Sequence, residues 1–314
     1  MAVEYRSPDI RNIVILGHGG SGKTTLTDAL CYISGSTTRR GQVENGTAHT
    51  DFTQEEIDHG ISINLALARA EWMDTKLNLI DTPGYLDFFG EVMAGVRVAD
   101  GALVVVGATT GVEVGTERCW RAAEARGLPR MVFISMMDRE NANFDTAFQQ
   151  VRKSFGSGAI PVEVPIGSGD HFTGIVNLFS GHAHGYRPSS DKGEYDHVEV
   201  PEEVAATVAS YREQLIESIA ATDDELLEAY LEGEELDRER VLAGMKQGMA
   251  RGELFPVFCG SGESGRGARA VLKKLVELMP SPDEIGPVEA TDARGNDVDL
   301  EAKDDSPLTA LVFK

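Results

Sequence analysis

The chain of 314 residues is 41% hydrophobic and 25% charged, with 51 acidic against 29 basic side chains and a formal net charge of −22. That balance reads as a soluble globular protein of about two domains, and the acidic surplus argues against a direct grip on nucleic acid by this chain alone. No run reaches the roughly 18 apolar residues of a membrane span, the start lacks the apolar core of a secretory signal, and Cys31, Cys119 and Cys259 are too scattered for a disulfide framework or zinc site and read as free thiols of a reducing cytoplasm.

In chain order, the first strand signal is "RNIVILG" (residues 11–17), a continuous run of the kind buried on both faces of a sheet. It leads into "GHGGSGKT" (residues 17–24), which matches G-x-x-x-x-G-K-[ST] between this strand and a predicted helix at 23–33. Gly19, Gly20 and Gly22 let the backbone wrap with its N–H groups inward around an anion at a helix N-terminus. Lys23 then reaches the β- and γ-phosphates, and the Thr24 hydroxyl ligates Mg²⁺. The candidate phosphate set is His18, Gly19, Gly20, Ser21, Gly22, Lys23, Thr24 and Thr25.

The stretch 61–73 is ambiguous by period, and its second half is read as an edge strand because it precedes the strand at 75–81. "LNLIDTPGYLDF" comes next: Asp81 ends an apolar strand where a carboxylate can hold a metal's water shell, and Gly84 has no side chain to stop its N–H approaching a γ-phosphate. Further strands are expected at 101–108 and 130–135, and helices at 85–98, 115–126 and 144–155. The alternation predicts an α/β fold, a P-loop NTPase whose mainly parallel sheet carries helices on both faces.

After residue 157 the rhythm changes to short strands with Gly and Pro turns, then a charged helical stretch at 201–252. A buried strand returns at 254–260 and a helix at 268–279. This predicts a first part of the α/β domain at 1–157, an inserted α+β subdomain at 158–251 and the domain's last strand and helix at 252–285. Residues 286–307 read as a polar linker and "LTALVFK" as one more strand. His182 and His184 stand two apart without a neighbouring Cys or acidic cluster, which favours a structural role over a metal site. The acidic helices of the insertion read as a solvated face.

On "GHGGSGKTTL", "HGISI", "IDTPGYLDF", "GVEVGTERCWRAAEARGLPR", "MDREN", "FCGSG" and "ELMPSP", the chain resembles the translational GTPases, specifically elongation factor G and the elongation factor G-like proteins. The resemblance implies binding of GTP and GDP with Mg²⁺, GTP hydrolysis, and a GTPase module whose insertion matches the family's G′ subdomain. It implies a cytoplasmic monomer that partners the ribosome, meeting the stalk protein through G′ and the GTPase-activating region of the large subunit. Residues 286–314 would then be the linker and first strand of a truncated β-barrel domain. A nucleotide-gated binding module with weak or no turnover is the alternative.

Carried over by residue, Lys23 and Thr24 hold phosphate and metal, Ser62 takes the place of the switch I Thr that caps Mg²⁺ and γ-phosphate, and Asp81 and Gly84 belong to switch II. Gly260, Ser261 and Gly262 fall where a backbone N–H meets guanine O6. Tyr85 replaces the family's water-orienting His; a phenol with an ordinary pKa near 10 is a poor base, so slower or differently triggered hydrolysis is expected. In place of Asn-Lys-x-Asp the chain has Ser135, Met136, Met137 and Asp138. Asp138 retains the paired bonds to guanine N1 and N2, Ser135 is too short to bridge the base and the phosphate loop, and Met136 covers the base without charge. Each lost polar contact is worth about 0.5–1.5 kcal/mol, so affinity should fall roughly tenfold or more.

Overall fold

A computed structural model describes residues 5–233, 237–303 and 305–314. The chain opens with β1 (Ile10–Gly17) and α1 (Lys23–Ser34), then α2 (Gln54–His59), β2 (Ala66–Trp72), β3 (Thr75–Asp81) and α3 (Phe89–Val98). It continues through β4 (Gly101–Gly107), α4 (Val114–Ala125), β5 (Arg130–Ser135), α5 (Phe144–Phe155) and β6 (Ala159–Pro161). These strands and β11 (Phe255–Cys259) form a seven-stranded sheet in the order β2-β3-β1-β4-β5-β11-β6. All neighbours are parallel except β2, which lies antiparallel on β3 at the edge.

Burial on both faces explains the unbroken apolar runs. Ile13, Ile15, Leu77, Leu79, Leu103 and Val105 face α1 and α9 (Ala268–Leu278), while Val14, Leu16, Ile80, Val104 and Val106 face α3, α4 and α5. Because β1 pairs with β3 on one side and β4 on the other, the order in which strands are added reverses across it and opens a crevice beyond its C-terminal end.

The insertion begins with β7 (Glu163–Ile166), β8 (Gly174–Asn177), β9 (Ala183–Tyr186) and β10 (Tyr195–Val198), an antiparallel sheet in the order β10-β9-β8-β7. Three helices come after it, α6 (Glu202–Ala220), α7 (Asp224–Leu231) and α8 (Arg238–Ala250), and bury Leu215, Ile219 and Met245 in the core shared with α1 and α9. β6 lies just past the expected boundary at 157 but pairs with β11 in the main sheet. No helix among the described residues is long and apolar enough to cross a membrane.

Three expectations need correction. The helix expected from residue 85 starts at Phe89, after a short 3-10 turn at Leu86–Phe88 that leaves Tyr85 extended. The expected linker contains a hairpin, β12 (Val288–Thr291) and β13 (Asp297–Leu300), whose turn is closed by Asp292 accepting from the N–H groups of Arg294 and Asn296. The strand expected in "LTALVFK" does not form: Leu308, Leu311 and Val312 are exposed, and a β-prone run that pairs with no strand among the described residues gains little by extending.

Candidate functional site

The phosphate loop sits at the C-terminal end of β1. Gly17 has φ +148, and a Cβ there would collide with the Val105 carbonyl and lie 2.8 Å from Ser21 Oγ. Gly20 and Gly22 have φ of 76 and 90, the left-handed values glycine adopts without strain. Lys23 is 5% exposed, and its Nζ donates to the His18 carbonyl at 2.8 Å; burial lowers its pKa, with Asp81 opposing. The His18 ring turns the other way, Nδ1 accepting from Gly115 N at 3.2 Å, so its backbone faces the loop interior. Thr24 and Thr25 continue the first turn of α1, whose N–H groups have no partner within the helix. Ser21 Oγ is buried without a hydrogen bond among the described residues.

At the entrance to α1, three separated segments meet. Thr24 Oγ1 donates to Asp81 Oδ2 at 2.9 Å and lies 3.0 Å from Ser62 Oγ. Thr50 Oγ1 reaches the same Asp81 oxygen at 2.7 Å. Asp81 Oδ1 and Asp51 Oδ1 are buried with no partner among the described residues. Burial pushes Asp81 up to about 6 against the hydrogen bonds from Thr50 and Thr24 and the charge of Lys23. Burial also raises Asp51, with the Ser62 hydroxyl opposing. A pocket of hydroxyls with two carboxylates that keep an unpaired buried oxygen has the hard-oxygen chemistry of a Mg²⁺ site. Among the described residues no three His, Cys, Asp or Glu stand in position to hold a metal alone, so such an ion would rely on phosphate oxygens and water for the rest of its shell.

The segment carrying Ser62 is fixed from two directions. Glu56 forms a capping box with Thr53 on α2 and also accepts from Ile63 N at 3.1 Å and Asn64 N at 3.0 Å. Leu65 N donates to Glu91 on α3 at 2.8 Å, and His49 N reaches the buried Asp28 carboxylate of α1 at 3.2 Å. Gly84 rests directly on the phosphate loop: a Cβ there would fall 2.5 Å from Gly19 N and would strike Lys23 Nζ. The Tyr85 ring covers Gly19, where a Cβ would sit 3.0 Å from its Cε2 and Cζ, and is 43% exposed.

The other end of the crevice is built by the loops after β5 and β11. Ser135 Oγ donates to the Ser21 carbonyl at 2.6 Å and lies 3.2 Å from the Val106 carbonyl. Of the two ends of the bridge that Ser135 was expected to be too short to make, the one at the phosphate loop is made: the loop backbone packs close enough for a hydroxyl to reach it. Met136 adopts φ +61, uncommon for a residue with a side chain, and its methyl lies 3.4 Å from where a Cβ on Gly22 would be. Asp138 Oδ1 is buried without a partner among the described residues. Met137 N donates to the Gly260 carbonyl at 3.0 Å, and Arg139 pairs with Glu263 at 2.7 Å, so the two loops form one wall. Ser261 shapes its turn by accepting from Glu263 N and Ser264 N. Gly262 packs on α1, where a Cβ would be 2.9 Å from Leu26 N.

Thus Lys23, Thr24, Ser62, Asp81, Gly84 and Tyr85 converge at one end and Ser135, Met136, Asp138, Ser261 and Gly262 at the other. Sequence reasoning missed Thr50, Asp51 and Arg40. Arg40 has a buried Nη2 without a partner among the described residues and lies in the field of Asp191, Glu263, Asp28 and Asp138. All three sit in the polar stretch between α1 and α2, which has no periodicity; the only signal was the position of "HTDF" upstream of "HGISI".

Residues 8–281 match the family model described as the elongation factor Tu GTP binding domain. A crystal structure from Thermus thermophilus is similar at a TM-score of 0.83 and 39% identity, over 89% of this chain and 42% of that chain. This chain thus spans less than half the length of that solved relative. The match over most of its length, on a parallel sheet with the phosphate loop at its switch point, places the chain in the elongation factor Tu GTP-binding domain family of translational GTPases.

Proposed function

We propose that this chain is the GTP-hydrolysing switch module of an elongation factor G-like protein that works on the ribosome. The observation that supports it is the meeting of Thr24, Ser62 and Asp81, one from the phosphate loop and one from each of two switch positions, around buried unpaired carboxylate oxygen. Such a junction would respond to whether a third phosphate is present, because Ser62 and Gly84 would both hold that group.

In this reading Lys23 would neutralise the β- and γ-phosphates while Thr24, Ser62 and Asp81 would hold Mg²⁺, with Thr50 and Asp51 beside them. Mg²⁺ supplies charge neutralisation of the phosphate oxygens when bound. The Gly84 N–H points to the transferred phosphoryl group, and Tyr85 holds the attacking water by a hydrogen bond rather than by removing a proton. Asp138 selects guanine, since adenine lacks the N1–H and 2-amino donors. Ser135 ties the base wall to the phosphate loop, Met136 covers the base, and Gly262 offers its N–H to O6. Residues 158–251 form a G′ subdomain that meets the ribosomal stalk, and the large subunit completes catalysis in the cytoplasm.

A second reading, a nucleotide-gated binding module with little turnover, draws on Tyr85, whose phenol lies over Gly19 where a stronger base would be expected. Titration of labelled GTP, GDP and ATP, then measurement of phosphate release with and without ribosomes, separates them. GTP and GDP should bind well above ATP, and ribosomes should accelerate release. Binding without release in either condition would select the second reading, and equal affinity for ATP would remove the role given to Asp138.

A further inference from the structure

Away from the crevice, a cavity of about 700 Å³ lies where the edge strand β2, helix α9 and the sheet β8-β9-β10 meet. Small-molecule sites commonly enclose roughly 300–1,000 Å³. Its wall is cationic in a chain whose net charge is −22: Arg187, Arg238, Arg269, Lys273 and Lys274 line it, against Glu194 as the one lining carboxylate among the described residues. Among the described residues the neighbouring acids do not balance them. Glu277 alone serves Arg238 at 2.6 Å, Lys274 at 2.6 Å and Lys273 at 4.0 Å. Glu194 is 3.9 Å from Arg269, and the Arg187 partner is the exposed Asp196.

Three imidazoles stand beside these cations. The His184 ring lies 5.1 Å from that of His197, which lies 5.6 Å from that of His182, and His184 stacks on Tyr195 at 4.1 Å. Burial first, then His197, His182 and Lys273, push His184 down to about 4. Proton uptake there is opposed by neighbours of the same sign, and a bound anion would relieve that opposition. The buried Tyr186 hydroxyl, on the same wall beside the Gly267 backbone, makes no well-formed hydrogen bond among the described residues. A metal is the competing occupant of a histidine cluster, but these rings are not placed as a ligand set.

We propose that this cavity is a second anion site, separate from the phosphate loop, that takes a small molecule bearing phosphate groups. Lys273 and Arg269 on α9 supply the fixed charge, ring N–H groups of His184 and His197 donate to phosphate oxygens, and Tyr186 offers a further hydroxyl. The site is a cleft open on one side, concave enough to fit a small ligand, and its volume exceeds what one phosphate ion fills.

The test uses the full chain saturated with Mg²⁺ and GDP and titrated with inorganic pyrophosphate at constant ionic strength, read by the imidazole proton resonances of each histidine. His182, His184 and His197 should shift saturably, whereas His18 and His49 beside the phosphate loop should not. Lys273→Glu, at a half-exposed side chain, should weaken the cavity response at least tenfold without altering GDP affinity, and His197→Gln should weaken it severalfold. The proposal is overturned if the three cavity resonances stay still or drift without saturation, if only His18 and His49 respond, or if Lys273→Glu leaves the midpoint unchanged.

Discussion

Asp138 and Ser135 divide between them work that a longer side chain would share. The unpaired buried Asp138 Oδ1 is an acceptor waiting for donors, and paired bonds to a carboxylate are worth about 1.5–3 kcal/mol each. Asp138→Ala should therefore lower GTP and GDP affinity by roughly tenfold or more while ATP affinity stays level, as equilibrium titration would record. Ser135 already bonds the Ser21 carbonyl at 2.6 Å, so what the short residue gives up is reach toward the base, not contact with the loop. Ser135→Ala should cost about 1 kcal/mol in denaturant unfolding and loosen nucleotide binding severalfold. The sequence showed which residue stood at position 135, but whether a hydroxyl could span the gap depended on how closely β5 packs against a loop more than a hundred residues earlier in the chain.

Among the elements, α2 is a short helix whose main task is to anchor the segment that carries Ser62. Its Glu56 closes the capping box with Thr53 and then fixes the backbone of Ile63 and Asn64, immediately beyond Ser62. Loss of such a cap costs about 1 kcal/mol. Glu56→Ala should release Ser62 and so weaken Mg²⁺-dependent GTP binding severalfold while GDP binding changes less; equal losses for both nucleotides would contradict a switch role for this segment. The strong strands and helices were legible because burial on two faces, or on one stripe, writes a pattern into the residues themselves. The hairpin β12–β13 was missed although "VEAT" and "DVDL" alternate: Val288, Ala290, Val298 and Leu300 share one face, but none of them is buried, and four-residue strands leave too short a pattern to stand out from a polar stretch. "LTALVFK" misled in the opposite direction, having the composition of a strand without a neighbour to complete it.

For the molecule as a whole, the joint between the inserted sheet and the main sheet contains a buried carboxylate. Glu163 on β7 is fully buried, accepts from Cys259 N of β11 at 3.3 Å, and is pushed up to about 8 by burial, against that bond and the charge of Lys274. Its ordinary value is 4.5, so between there and about 8 the folded chain holds a proton that the unfolded chain has released. Stability from this group is complete below that window and falls by roughly 1.4 kcal/mol per pH unit across it. Glu163→Gln should flatten the decline and stabilise the protein on the alkaline side, visible as a shrinking gap in unfolding midpoint toward acid. A variant that tracks the parent at every pH would show that the carboxyl ionises at its ordinary value.

The sheet and the phosphate loop were already written in the residues, because two-sided burial and a glycine-rich turn before a helix are local requirements met by adjacent positions. Packing in three dimensions was needed to bring Thr50, Asp51 and Arg40 into the crevice, to carry Ser135 to Ser21, and to gather scattered cations and histidines from β9, β10, α8 and α9 around one cavity. Those contacts join residues far apart in the chain, and their chemistry exists only once folding has set their charges and hydrogen-bonding atoms within a few ångströms of one another.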